Sequence, residues 1–278
     1  MKDIILRTNN LTKKYKDFTA LNNANITINK GDIYGLIGRN GAGKTTLMKV
    51  ITTLTYKTNG EFYLFDKDDS DLTETKRRIG CLIENPAFFE NLTAYQNLKY
   101  YAIQKGIIDY SQIDKVLDLV KLSDSKNKKF KTFSLGMKQR LGIAFAMLDN
   151  PDFVILDEPI NGLDPIGISE LRETLKKLNE ESNITMLISS HILSELYLLA
   201  NRFCFIEKGK IIKELSKKEL NTTNYKVIDK HEVRLYDYLD NSGKVNKELA
   251  KNDIDVISIY ESGISLEDYF KSIVKEAE

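Results

Sequence analysis

Gly38-Arg39-Asn40-Gly41-Ala42-Gly43-Lys44-Thr45-Thr46 decides the reading of this 278-residue chain. The stretch satisfies G-x-x-x-x-G-K-[ST] through Gly38, Gly43, Lys44 and Thr45. Glycines let successive backbone N–H groups turn inward as an anion nest, and a helix that follows aims its positive end at the same point. The nine residues therefore predict a cradle for the phosphates of ATP. In it Lys44 reaches the β- and γ-oxygens and Thr45 offers a hydroxyl to Mg²⁺. Such a cradle needs a strand before it and a helix after it. The apolar run Ile33–Ile37 and the helical composition of 44–54 supply both.

Outward from the loop, alternating apolar patterns at 4–9 and 25–29 predict strands of an antiparallel sheet. A turn at Lys30-Gly31-Asp32 leads into 33–37, and a second turn centred on Asn59-Gly60 precedes a strand at 60–65. From 91 to 150 the periodicity is helical, with helices expected at 94–102, 112–120 and 135–148 and a Lys-rich loop at 123–131. Strand character returns at 153–156, 184–189 and 203–207, and an amphipathic helix at 168–182 separates the first two. After about 215 the pattern weakens to strand-like pieces at 226–229 and 256–260 and a helix at 266–276. The expected organisation is one domain over 1–215, with an inserted helical subdomain at about 85–150, and a small appendage over 216–278.

A second element must hold the metal. Phe153-Val154-Ile155-Leu156 ends in Asp157-Glu158, the form of a buried strand whose C-terminal edge meets the ligand. Asp157 is placed for Mg²⁺, and Glu158 for orienting or deprotonating an attacking water.

With these two elements in place, the chain resembles the nucleotide-binding subunit of an ABC transporter. Phe133-Ser134-Leu135-Gly136-Met137-Lys138-Gln139-Arg140 is similar to the family signature LSGGQ, with Leu135 at the first glycine, and Ser134 lies 23 residues before Asp157. Asn161-Gly162-Leu163-Asp164-Pro165 resembles the D-loop, His191 resembles the switch histidine, and Tyr15 stands where the family places an adenine-stacking aromatic, with Phe18 as the alternative. The resemblance covers 1 to about 215. It implies a P-loop NTPase (RecA-like) α/β core with an antiparallel β subdomain and the helical insert. It also implies a catalytic role for His191 beside Glu158, and a signature, Ser134 to Lys138, that closes on nucleotide held by a second ATPase subunit, most simply a second copy. Ser134 and Gly136 at a helix N-terminus suit a γ-phosphate, and Ser134 serves equally as an ordinary helix cap.

One residue departs from the pattern. Glu84 stands where the family has the Q-loop glutamine. A carboxylate there still serves Mg²⁺ or its water, but it only accepts hydrogen bonds and adds a negative charge. This residue, with Asn85-Pro86-Ala87-Phe88-Phe89 and Leu92-Thr93-Ala94-Tyr95-Gln96-Asn97-Leu98, resembles the lantibiotic-immunity and bacitracin-resistance exporters. The implied function is ATP hydrolysis coupled to export of antimicrobial peptides through separate transmembrane permease subunits, which meet the chain along 85–97. Another drug or a lipid is the alternative cargo.

Composition excludes other classes. A net charge of +1 gives no field for nucleic acid or an anionic membrane. The longest apolar run falls short of the ~20 residues of a membrane span, so a cytoplasmic protein held at the membrane's inner face by its permease is expected. Cys81 and Cys204 lack metal-ligand spacing. A soluble ATPase acting on ribosomes or DNA is the alternative class. Against it, the chain carries one cassette, and only about 90 residues without sustained heptads separate loop and signature. A hydrolysis-dead regulatory subunit is disfavoured by the presence of both Glu158 and His191.

Overall fold

The computed structural model describes residues 3–84, 87–220, 224–229, 233–237, 256–262 and 266–277. Asn85 and Pro86, part of the expected permease-facing stretch, lie outside them. The chain divides into two compact units, Met1–Glu214 and Leu215–Glu278.

The first unit opens with strands β1 (Ile4–Tyr15), β2 (Phe18–Ala24), β3 (Thr27–Asn29) and β4 (Ile33–Ile37), then helix α1 (Lys44–Ile51), β5 (Asn59–Leu64), β6 (Lys67–Asp68) and β7 (Ile79–Leu82). The helical insert is α2 (Ala94–Gln104), α3 (Ser111–Leu119) and α4 (Leu135–Ala146). The chain returns through β8 (Phe153–Leu156), α5 (Pro165–Ser182), β9 (Thr185–Ser190), α6 (Leu193–Leu199), β10 (Arg202–Glu207) and β11 (Lys210–Ser216). Beyond Leu215 follow α7 (Lys217–Leu220), β12 (Asn224–Asp229), β13 (Val233–Asp237), β14 (Val256–Ser262) and α8 (Leu266–Ala277).

Two sheets make the first unit. One is antiparallel, in the order β2-β1-β5-β6 with β3 also on β1. The other has the order β11-β10-β4-β9-β8-β7, and its pairs from β10 to β7 are parallel. Every residue of β4, β8 and β9 is buried, as expected of strands covered on both faces. The core joins Leu6, Leu11, Leu21 and Ile28 of the antiparallel sheet to Leu47, Met48 and Ile51 of α1 and to Leu36, Ile155 and Leu187 of the parallel sheet. The second unit has a three-stranded antiparallel sheet, β13-β12-β14, and α8, whose Leu266, Ile273 and Val274 are buried.

The insert's helices follow the apolar periodicity. α2 begins on a capping box, in which the Thr93 hydroxyl accepts from Gln96 N–H and the Gln96 side chain accepts from Thr93 N–H. The Lys-rich stretch after α3 holds two short 3₁₀ turns and buries Phe130 against Phe88 at 5.1 Å. Among the described residues, seven elements escape the periodicity: β2, β6, β7, β11, β13, α6 and α7 are too short, or too mixed in polarity, to stand out from their surroundings.

At Asn59-Gly60 the structure corrects the expected turn. Both residues lie inside β5, opposite the irregular register of β1 between Asn9 and Thr12. Gly60 adopts φ +83°, and a Cβ there would overlap the Asn10 carbonyl, so the asparagine–glycine pair marks a bulge.

At the N-terminal edge of the parallel strands sits a polar network. Arg202 donates to Thr27 O at 2.7 Å and to Asp32 Oδ2 at 3.0 Å, and Asp32 is buried. Its guanidinium also lies 3.6 Å from Glu214, which accepts from the buried Tyr34 hydroxyl. Burial, with the Glu214 carboxylate alongside, holds the Tyr34 hydroxyl well above the usual phenol range.

Candidate functional site

The opposite edge of the sheet gathers five of the predicted site residues, Lys44, Thr45, Asp157, Glu158 and His191. The loop leaves β4 at Ile37, which pairs with Ser190 in β9, so the loop, the end of β8 and the end of β9 come to one level. Gly41 and Gly43 have φ +79° and +110°, and a Cβ on Gly43 would approach the Ala20 carbonyl to 2.6 Å. Lys44, almost wholly buried, donates from Nζ to Gly38 O at 2.8 Å and lies 3.4 Å from Glu158 Oε1.

Asp157 and Glu158 directly follow β8. Thr45 Oγ1 donates to Asp157 Oδ2 at 2.7 Å, and Ser189 Oγ donates to Asp157 Oδ1 at 2.6 Å. Glu158 turns out of the strand in the left-handed region, φ +51°. Its N–H donates to Ser189 Oγ at 2.9 Å. Its Oε2 accepts from His191 N–H at 3.2 Å and lies 2.7 Å from His191 Nδ1. Loop, paired carboxylates and histidine are therefore one connected set.

A cavity of about 250 Å³ opens over the loop, lined by Arg39, Asn40, Gly41, Gly43, Lys44, Thr45, Thr46 and Glu158, with Phe18 and Ala20 on the far side. Gly38 and Ala42 are not among its lining residues: Ala42 is buried, and Ala42 N–H donates to Arg39 O at 3.1 Å. Phe18 lines the cavity, while Tyr15 does not; the Tyr15 ring carries Lys13 Nζ 4.6 Å above it. Phe18 was only the alternative stacking residue in sequence.

Glu84 is not brought to the Thr45–Asp157 pair. Its carboxylate accepts from Lys49 Nζ of α1 at 2.6 Å and is 64% exposed. Nor does any residue of 134–138 line the cavity. Ser134 caps α4, its Oγ accepting from Met137 N–H at 3.3 Å, and Lys138 Nζ lies 5.3 Å over the Phe130 ring. Leu135 is half-exposed and rests on Gly162, and Gly136 lies open beside Leu163. Asp164 caps α5 by accepting from Gly167 N–H at 2.9 Å, with Pro165 at the first helical position.

Sequence reasoning passed over Ser189, two residues before His191. The available signal was a hydroxyl within an apolar, fully buried strand, where a polar group needs partners.

The described residues contain no helix long and apolar enough to cross a membrane. The family model for ABC transporters matches residues 21–161. The bacitracin transport ATP-binding protein BcrA of Enterococcus faecalis is 39% identical, over 98% of this chain and 97% of that protein. The lantibiotic transport ATP-binding protein SrtF of Streptococcus pyogenes is 47% identical, over 76% of this chain and 90% of that protein. Among solved structures, the dimeric post-hydrolysis state of the ATP-binding cassette MJ0796, bound to ADP and Pi, superposes with a TM-score of 0.70 at 28% identity, covering 77% of this chain and 99% of that one. ABC ATPase cassettes of this kind work as dimers with transmembrane permease components. With a glycine-rich loop, two carboxylates just after β8 and relatives matching nearly its whole length, the chain belongs to the ABC transporter family, as an ATP-binding subunit whose ATPase activity is coupled to transport.

Proposed function

We propose that two copies of this chain close on two ATP molecules and drive a separate permease that exports antimicrobial peptides of the bacitracin or lantibiotic type. The observation that carries the shared site is the cavity wall. It joins the loop to Glu158 but includes no residue of 134–138, so a chain by itself builds one side of the site. The N-capped start of α4, with Ser134 and the open Gly136, is an anion-suited end for the other side, supplied by the second copy. Asp164, in the stretch that resembles the D-loop, would stand near the second copy in this reading; in the single chain it caps α5. The peptide cargo rests on the bacitracin and lantibiotic relatives, and the location follows from the partner: peripheral, at the membrane's inner face.

In this reading Lys44 and the backbone of 38–46 bind the phosphates, and Phe18, in place of Tyr15, packs against the base. The Thr45 hydroxyl and the Asp157 carboxylate, 2.7 Å apart, are hard oxygen donors of the kind Mg²⁺ takes. When bound, Mg²⁺ neutralises phosphate oxygens. Glu84 joins these ligands only by leaving Lys49. Glu158 orients the attacking water and accepts its proton, and His191 fixes the Glu158 carboxylate through both its N–H and Nδ1. Work is coupled because ATP binds the closed pair more tightly than the open one.

The test is resistance conferred by the chain with its permease. Wild type should raise the tolerated bacitracin or lantibiotic concentration, and Glu158→Gln should abolish the gain while still binding ATP. Resistance that survives Glu158→Gln would sink the proposal.

A further inference from the structure

Ser189 sits in β9, fully buried, one strand across from Asp157 and Glu158. Its hydroxyl has one proton, and Asp157 Oδ1 at 2.6 Å takes it, since a carboxylate has none to give. The oxygen's lone pairs then face the Glu158 N–H, which donates to it at 2.9 Å. This N–H needs such a partner: Glu158 has left the strand at φ +51°, where the ladder no longer supplies a carbonyl. The neighbouring Ser190 is equally buried, yet its hydroxyl serves only a local turn, accepting from Ile192 N–H at 3.0 Å.

We infer that Ser189 is a positioning residue for hydrolysis: one hydroxyl fixes the Asp157 carboxylate and the backbone of Glu158 relative to each other. The chain of contacts runs Thr45, Asp157, Ser189, Glu158, His191, and Ser189 is its middle link, joining the two carboxylate residues. Through it, a group bound between Thr45 and Asp157 sets where the left-handed turn at Glu158 points its carboxylate. Ser189 is not among the residues lining the cavity and acts through Asp157 and Glu158. The inference rests on the reading of Asp157 and Glu158 given above.

The test compares Ser189→Ala, Ser189→Thr and Glu158→Gln in the full chain. Ser189→Ala should lower kcat for ATP about 10–100-fold, the scale of a small misplacement of a reacting group, and leave ATP affinity within about twofold. Ser189→Thr keeps the hydroxyl and a strand-compatible backbone, and should recover most of kcat. Independently of turnover, hydrogen exchange at the Glu158 amide should accelerate about tenfold or more in Ser189→Ala and stay protected in Ser189→Thr. A Ser189→Ala protein with wild-type kcat, or with unchanged Glu158 amide protection, overturns the assignment. Wild-type hydrolysis by Glu158→Gln would instead overturn the role of Glu158 on which it rests.

Discussion

Lys44 and Glu158 form an ion pair, Nζ to Oε1 at 3.4 Å, with both side chains largely out of water. The carboxylate read as the catalytic base thus neutralises the cation read as the phosphate ligand, and a γ-phosphate must compete with it. Glu158→Gln removes that competition. Hydrolysis should fall at least about 100-fold while ATP affinity holds or rises up to about tenfold. Lys44→Ala should instead cost at least about 30-fold in affinity, because a buried, charge-assisted contact is lost. Equilibrium nucleotide binding and phosphate release, measured on both variants, check the pair.

Phe18 and Tyr15 make opposite predictions. Phe18 lines the cavity and Tyr15 does not, so Phe18→Ala should weaken ATP binding about 5–20-fold and Tyr15→Ala no more than about twofold. Fluorescent-nucleotide titration separates them, and the reverse order would restore the aromatic expected first from sequence.

Ser134→Arg places a long cation at the start of α4, outside the chain's own cavity. Nucleotide binding by single chains should be unaffected, while ATP-driven pairing is blocked. Light scattering of Ser134→Arg in the Glu158→Gln background reads this directly, and tight ATP-dependent pairs would refute the shared site.

Gly60→Ala puts a Cβ against the Asn10 carbonyl at φ +83°. Destabilisation of about 1–3 kcal/mol is expected in urea unfolding, with the ATPase rate of the folded protein unchanged.

Burial raises both thiols: Cys81, half-buried, lies above its ordinary 9.0, and Cys204, fully buried, lies higher still. The thiolate is the reactive form, so alkylation of Cys81 should keep accelerating as pH rises past 9. Cys204 should react only on unfolding. Mass spectrometry after timed iodoacetamide exposure distinguishes the two.

Most of this architecture was legible because its signals are local. A glycine-rich loop between an apolar strand and a helix, and an apolar strand ending in Asp157-Glu158, each fix backbone and chemistry within about ten residues. Contacts that depend on chain segments far apart were not legible. Ser189 acts on Asp157 and Glu158 across a strand pairing, Lys49 claims Glu84 from another element, and Phe18 rather than Tyr15 lines the cavity because β2 folds back over the loop. Asn59-Gly60 carried the right residues for a turn, and only the register of β1 against β5 makes it a bulge.

The network of Asp32, Arg202, Glu214 and Tyr34 lies at one edge of the parallel sheet, and the loop, Asp157 and His191 lie at the other. Five residues of β4, roughly 17 Å of extended chain, separate the two. The polar network and the groups proposed for catalysis therefore stand at opposite edges of one parallel sheet. Substitutions at the Asp32 end would then be read in the melting temperature and those at the loop end in turnover, each with little effect on the other.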